Sequence, residues 1–365
     1  MDTEMTVYVA GHAGMVGSAI CRRLREAGYR RIVGRTLEEL DLRRQAGVEA
    51  FFEAQRPEIV FLAAARVGGI LANSTRPADF SYDNLMIAAN VIQASWRHGV
   101  KKLVNLGSSC IYPKLAPQPI GEDQLLAGPL EPTNRAYAVA KIAALELCRH
   151  YNAQYGTDFI SLMPTNLYGP NDTYDLLQSH VLPAFIRKFH LARALRLGDL
   201  EALRQDLARR PLTVWALPAG SAAAALPAGP AARAASLEEI RRALACFAVD
   251  GESVSLWGSG TPRREFLHVD DLAAAAVFLM QQPGRLEPDG FVNVGCGEDQ
   301  PIRELAELVR QIVGFEGRIE FDPSRPDGTP RKLLNVSRIR ALGWRPVISL
   351  EDGVRATYRE YLRVT

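Results

Sequence analysis

Cysteine is scarce in this 365-residue chain: Cys21, Cys110, Cys148, Cys246 and Cys296 are odd in number and lack metal-ligand spacing. That leaves no disulfide framework and no zinc site to expect, and it fits reduced thiols of a cytoplasmic protein. No apolar run of about eighteen residues is present, which excludes a membrane-spanning helix. The formal net charge is only +2 and the Lys and Arg residues are dispersed, so no nucleic-acid partner is expected. An apolar segment begins at Thr6, too soon after Met1 for a secretory leader, which adds to the cytoplasmic expectation.

What is present is an alternation. Short apolar runs at 6–10, 32–33, 59–62, 103–106 and 159–163 are separated by helical patterns, the first of them over 15–24. That order predicts a doubly wound α/β domain with a parallel sheet, over residues 1–170. Residues 171–365 are expected to form mainly a smaller α/β substrate domain, with 263–297 returning to the first. Within it, 182–189, 272–280 and 302–312 read as helices and 254–257, 291–294 and 318–321 as strands. The stretch 191–251 is rich in Ala and Arg, and 216–235 is nearly all Ala, Pro and Gly, which reads as a poorly ordered loop. Leu200, Leu203 and Leu207 on one side, and the capping-box pair Ser236 and Glu239 on the other, predict two flanking helices.

Gly11, Gly14 and Gly17 form G-x-x-G-x-x-G between the first strand and the first helix, where backbone N–H groups can approach a pyrophosphate. The second strand ends near Gly34 and is followed by Arg35 instead of a carboxylate, which favours a 2′-phosphate and hence NADP(H). Asp41 and Leu42 are candidate adenine neighbours, and Ala63 to Ala65 are small enough to admit the cofactor backbone. Tyr137 and Lys141 make Y-x-x-x-K, a spacing that puts both side chains on one helix face, where an ammonium would lower the phenol pKa. Ser108, just past the fourth strand, lies at the carboxyl edge where such sheets bind ligands. This trio suits ketone reduction by hydride.

Longer stretches also match a family. Residues 10–20 (AGHAGMVGSAI), 62–70 (LAAARVGGI), 107–115 (GSSCIYPKL), 130–141 (LEPTNRAYAVAK), 163–170 (MPTNLYGP), 256–271 (LWGSGTPRREFLHVDD) and 326–334 (PDGTPRKLL) resemble the GDP-L-fucose synthase family of extended short-chain dehydrogenases/reductases. The resemblance implies 3,5-epimerisation of GDP-4-keto-6-deoxy-D-mannose followed by NADPH-dependent reduction at carbon 4. Cys110 and His180 would then be the base and acid of epimerisation, a thiol and an imidazole that exchange protons near neutrality. Cofactor contacts are implied at Met15, Val16, Pro164, Asn166, Leu167 and His180, besides Tyr137 and Lys141. Substrate contacts are implied at Ser108, Asn166, Lys188, Trp257, Arg264 and Lys332, with the cations meeting the GDP end. A homodimer through helices 83–97 and 134–155 follows from the same resemblance.

Two departures stand out. Ala13 occupies a place where relatives often carry arginine, leaving NADP preference to Arg35. The 191–251 segment stands where relatives have a short link, and reads as a surface excursion or as a lid or oligomer contact. Rival readings are an enzyme for a related GDP-ketosugar of the colitose type and an NAD-dependent sugar-nucleotide 4-epimerase.

Overall fold

The computed structural model describes residues 2–212, 217, 220, 221, 226, 229–284, 286, 290–325 and 327–363. The first half alternates strand and helix: β1 (Val7–Ala10), α1 (Met15–Glu26), β2 (Ile32–Val33), α2 (Gln45–Gln55), β3 (Ile59–Leu62), α3 (Ile70–Thr75), α4 (Pro77–Arg97), β4 (Lys102–Leu106), α5 (Arg135–Tyr155) and β5 (Phe159–Pro164). Then follow β6 (Asn166–Tyr168), α6 (Val181–Leu197), α7 (Leu200–Arg209), α8 (Leu237–Ala245), β7 (Ser253–Trp257), β8 (Arg263–Arg264), β9 (Phe266–His268) and α9 (Val269–Gln281). The chain ends through β10 (Phe291–Val294), β11 (Gln300–Pro301), α10 (Ile302–Val313), β12 (Arg318–Asp322), β13 (Arg331–Lys332), α11 (Ser337–Ala341) and α12 (Leu350–Arg363).

Six strands form one parallel sheet in the order β10-β5-β4-β3-β1-β2. Every residue of β1, β3, β4 and β5 is buried, as expected for strands covered on both faces. The period of two sorts them: Val7, Val9, Ile59 and Phe61 pack with Ile20, Leu272 and Leu279 of α1 and α9, while Tyr8, Val60 and Leu62 pack with Phe52, Val91 and Ala144 of α2, α4 and α5. The chain leaves β1 toward β2 and then returns past β1 to β3, so a crevice opens at the carboxyl ends of β1 and β3. Among the described residues no helix is long and apolar enough to cross a membrane.

A second core joins α6, α7, α8, α10 and α12 with β7, through Ile186, Phe189, Leu203, Leu244, Val254 and Val309. Three sequence expectations change here. α6 runs unbroken to Leu197, past the expected start of the inserted segment at 191, and ends on Gly198 at φ +66°. Part of the expected loop 216–235 lies outside the described residues, but 229–234 is a 3₁₀ helix with Ala232 and Ala235 buried in this second core. Small side chains that carry little hydrophobicity can still pack where backbones approach closely. Finally, the return to the large sheet starts later than 263, because Arg263 and Arg264 belong to a separate sheet with β11 and β13.

Candidate active site

The glycine turn is built by two steric demands and one opening. Gly11 has φ +81° and a Cβ there would meet Ala64 N at 2.7 Å; a Cβ on Gly17 would collide with Gly11 O. Those two glycines serve the chain's own packing. Gly14, the N-cap of α1, is different: a Cβ would meet only Gly11 O, at 3.5 Å, and no side chain caps the helix. Uncapped N–H groups facing open space at a helix start suit a pyrophosphate, so the residues fit a dinucleotide. Met15 and Val16 turn their side chains onto the first core, leaving their backbone for any anion.

Arg35 extends beyond β2, donating from Nη1 to Gly34 O at 2.8 Å, with its guanidinium 5.6 Å from the centre of the Phe51 ring. His12 packs over Gly34 and its buried Nδ1 has no partner. Asp41 is gripped by Arg43, whose Nε and Nη2 donate at 2.8 and 2.9 Å, and Arg43 also reaches Asp83. Leu42 is only 8% exposed and belongs to the core beside α4. Ala63 and Ala65 lie half-buried after β3 at the crevice.

β4 delivers Ser108, which caps the 3₁₀ turn Ser109–Ile111 by accepting from Cys110 N at 3.2 Å. Its hydroxyl also lies near the phenol of half-buried Tyr137 and works to lower the phenol pKa. Lys141, one turn on, donates to Leu106 O at 2.7 Å and stands 5.7 Å from the centre of the Tyr137 ring. The trio is assembled, but its expected electrostatics are not. Burial first, and Cys110 second, hold the phenol above its ordinary pKa against the opposing pull of the Ser108 hydroxyl. The amine is committed to the Leu106 carbonyl, and burial brings its own pKa down to about 8.

Cys110 faces two donors, Asn134 Nδ2 at 3.6 Å and Lys332 Nζ at 3.7 Å. Asn134 was not anticipated as a site residue, although it sits in the matching stretch 130–141. Glu131 holds it by accepting from Thr133 N at 2.9 Å and Asn134 N at 3.2 Å, and Asn134 Oδ1 is left buried without a partner. Lys332, expected at the GDP end, has its ammonium 3.7 Å from the thiol. Parallel pairing of β13 with β8 sets Lys332 beside Arg264, whose charge Cys110 also feels. His180, solvent-exposed, stands at the N-cap position of α6 without a side-chain capping bond, and surrounding protein and then the Lys332 charge lower its pKa. Lys332 thus acts on both candidate epimerase groups.

Asn166, in β6, spends its amide on Glu265 O at 2.7 Å. Pro164 ends β5 and Leu167 packs on the first core. Buried Glu265 accepts from Gly297 N at 2.7 Å and Leu334 N at 3.0 Å, tying the loop after β10 to the strand that carries Lys332. Away from these groups, a cavity of about 200 Å³ is lined by Lys188, Trp257, Arg325, Asp322, Leu176 and Leu177. Lys188 is buried, donates to Ser255 O at 3.0 Å, and has its pKa lowered to about 8 by burial.

A family model described as the NAD dependent epimerase/dehydratase family matches residues 7–208 and 221–295. The chain is 48% identical to GDP-L-fucose synthase 1 of Arabidopsis thaliana, over 99% of this chain and 94% of that protein. It is 45% identical to GDP-L-fucose synthase of Escherichia coli (strain K12), over 99% and 97%. A solved GDP-6-OMe-4-keto-L-xylo-heptose reductase from C. jejuni superposes with a TM-score of 0.88 at 39% identity, covering 100% of this chain and 99% of that one.

Proposed function

Since the chain belongs to the NAD dependent epimerase/dehydratase family, we propose that it converts GDP-4-keto-6-deoxy-D-mannose to GDP-L-fucose, with NADPH as cofactor. The observation that carries this reading is the junction of two chemistries on one short turn. The Ser108 hydroxyl lies near enough to the Tyr137 phenol to lower its pKa, and Cys110, two residues on, carries a thiol set against Lys332 and Asn134.

The 4-keto group acidifies carbons 3 and 5 of the sugar. Cys110 and His180 exchange protons at those carbons, while Ser108 and Tyr137 hold the enolate oxygen. When bound, NADPH supplies hydride to carbon 4. Tyr137 then gives its proton to the carbon 4 oxygen, and Lys141 stabilises the phenolate left behind. The uncapped start of α1 takes the cofactor pyrophosphate and Arg35 its 2′-phosphate.

Incubation with GDP-4-keto-6-deoxy-D-mannose and NADPH in deuterated water tests the whole sequence. Deuterium at carbons 3 and 5 with stoichiometric NADPH oxidation is expected. Deuterium at one carbon only would indicate a colitose-type product, and absence of net NADPH oxidation would overturn the reductase.

The reading extends to assembly and place. The α4–α5 face exposes Tyr82, Leu85, Val139 and Tyr155, and this apolar surface supports a homodimer across a two-fold axis. Light scattering giving a single-chain mass would refute it. Five unpaired thiols support a cytoplasmic location.

A further inference from the structure

Within 198–250, the described stretches 198–212 and 229–250 are built into the second core through Leu203, Leu207, Ala232, Ile240 and Leu244. α7 places Asp206 against Arg187 of α6, and α8 is closed by a full capping box between Ser236 and Glu239. After α8 the chain is stitched to β7: Ala248 O accepts from Ser255 N at 3.0 Å, and Asp250 N donates to Ser253 O at 3.1 Å. Phe247 and Val249 are buried, and Ala248 takes a left-handed φ of +55° to make the turn. The same β7 carries Trp257, and its Ser255 carbonyl holds the Lys188 ammonium.

This turn forms one wall of the 200 Å³ cavity, with Cys246, Phe247 and Ala248 opposite Trp257 and Lys188. The cavity has what a nucleobase requires: an indole 43% exposed, apolar Leu71, Leu176 and Leu177, and polar groups at Asp322, Arg325 and Lys188. Leu176 and Leu177 lie on the loop that ends at His180, so one segment reaches from this cavity to the reacting end of the cleft.

Building on the functional reading above, we propose that the 246–248 turn is a specificity-determining wall of the subsite that takes the nucleobase of the GDP-sugar. The Ala- and Arg-rich segment thereby contributes to recognition of the nucleotide end and leaves the carbonyl chemistry untouched. Cys246 is exposed at the cavity, and a bulky side chain there fills the space without burdening the core.

The test is binding of GDP itself, by calorimetry, to wild type and to Cys246→Trp, each checked for an unchanged melting temperature. The expected result is a Kd for GDP raised about tenfold or more, a matching rise in KM for the GDP-ketosugar, and kcat and NADPH affinity unchanged. A second measurement needs no variant: alkylation of Cys246 in the native protein, followed by peptide mass spectrometry, is expected to slow when GDP saturates the site. If wild type binds GDP, yet the variant binds it equally and Cys246 reacts equally fast with and without GDP, the wall is wrong and the functional reading stands. If wild type binds no GDP, the functional reading fails and the wall falls with it.

Discussion

Arg187 of α6 and Asp206 of α7 form an ion pair 2.9 Å apart with side chains only 1% and 0% exposed. Arg187 Nη1 also donates to Tyr174 O at 3.0 Å, Arg210 binds the other carboxylate oxygen at 3.1 Å, and the Tyr361 hydroxyl bonds the same carboxylate. Removing one partner leaves a buried charge without compensation. Asp206→Ala is therefore expected to lose about 3–5 kcal/mol of stability. Urea unfolding followed by circular dichroism measures it, and a loss below about 1 kcal/mol would show the network to be dispensable.

The contrast between Gly14 and Gly17 makes a paired prediction. Gly17→Ala drives a methyl into Gly11 O and is expected to lower the melting temperature and abolish NADPH binding together. Gly14→Ala meets only an atom at 3.5 Å, so the fold should persist while NADPH affinity drops about tenfold. Equal affinities of Gly14→Ala and wild type in a fluorescence titration would place the pyrophosphate elsewhere.

The proposed cofactor site assigns the 2′-phosphate to Arg35, since Ala13 carries no charge. Arg35→Ala should raise KM for NADPH about tenfold or more and leave KM for NADH nearly unchanged. A parallel rise for both cofactors would assign Arg35 to general packing against Phe51.

The proposed mechanism gives reduction to Tyr137 and epimerisation to Cys110. Tyr137→Phe should cut NADPH oxidation by about 10²–10⁴ while deuterium still enters carbons 3 and 5. Cys110→Ser should do the reverse to exchange, suppressing deuterium uptake. The rate of the wild type is expected to fall as pH rises through about 8, where buried Lys141 loses its charge. A fall delayed to the range of a free lysine would show that the ammonium contributes nothing.

Lys188 supplies a stability test with a definite sign. Burial lowers its folded pKa to about 8 while the unfolded chain keeps about 10.4, so between those values the unfolded state binds more protons. The charged amine costs the folded state stability below pH 8, and this cost disappears as pH rises toward 10.4. The stability of Lys188→Met relative to wild type should accordingly be greatest at pH 7 and decline by pH 10, as read from denaturant midpoints. A difference constant with pH would contradict the burial.

Much of this was legible in the chain because it is local. The apolar runs that became β1, β3, β4 and β5, the glycine turn, and the four-residue step from Tyr137 to Lys141 all rest on neighbouring residues and fixed periods. What escaped was juxtaposition across sequence. Lys332 reaches Cys110 because β13 pairs with β8, and Glu265 anchors that pairing from a buried position. The phenol came out raised because its electrostatics depend on burial and on the carbonyl that captures Lys141, neither visible in a spacing. Alanine-rich composition suggested a loose loop at 216–235, yet within it Ala232 and Ala235 are buried because close packing selects small side chains as readily as disorder does.

The large sheet also has an order of arrival. β10, which completes it, is synthesised long after its neighbour β5, with the stretch from β6 to α9 coming between them. While the ribosome is still making that interval, the outer margin of β5 is an apolar strand with open hydrogen-bonding groups. A nascent chain stalled before Phe291 would therefore expose a sticky margin and lack Lys332, so premature termination yields an aggregation-prone fragment instead of a partial enzyme.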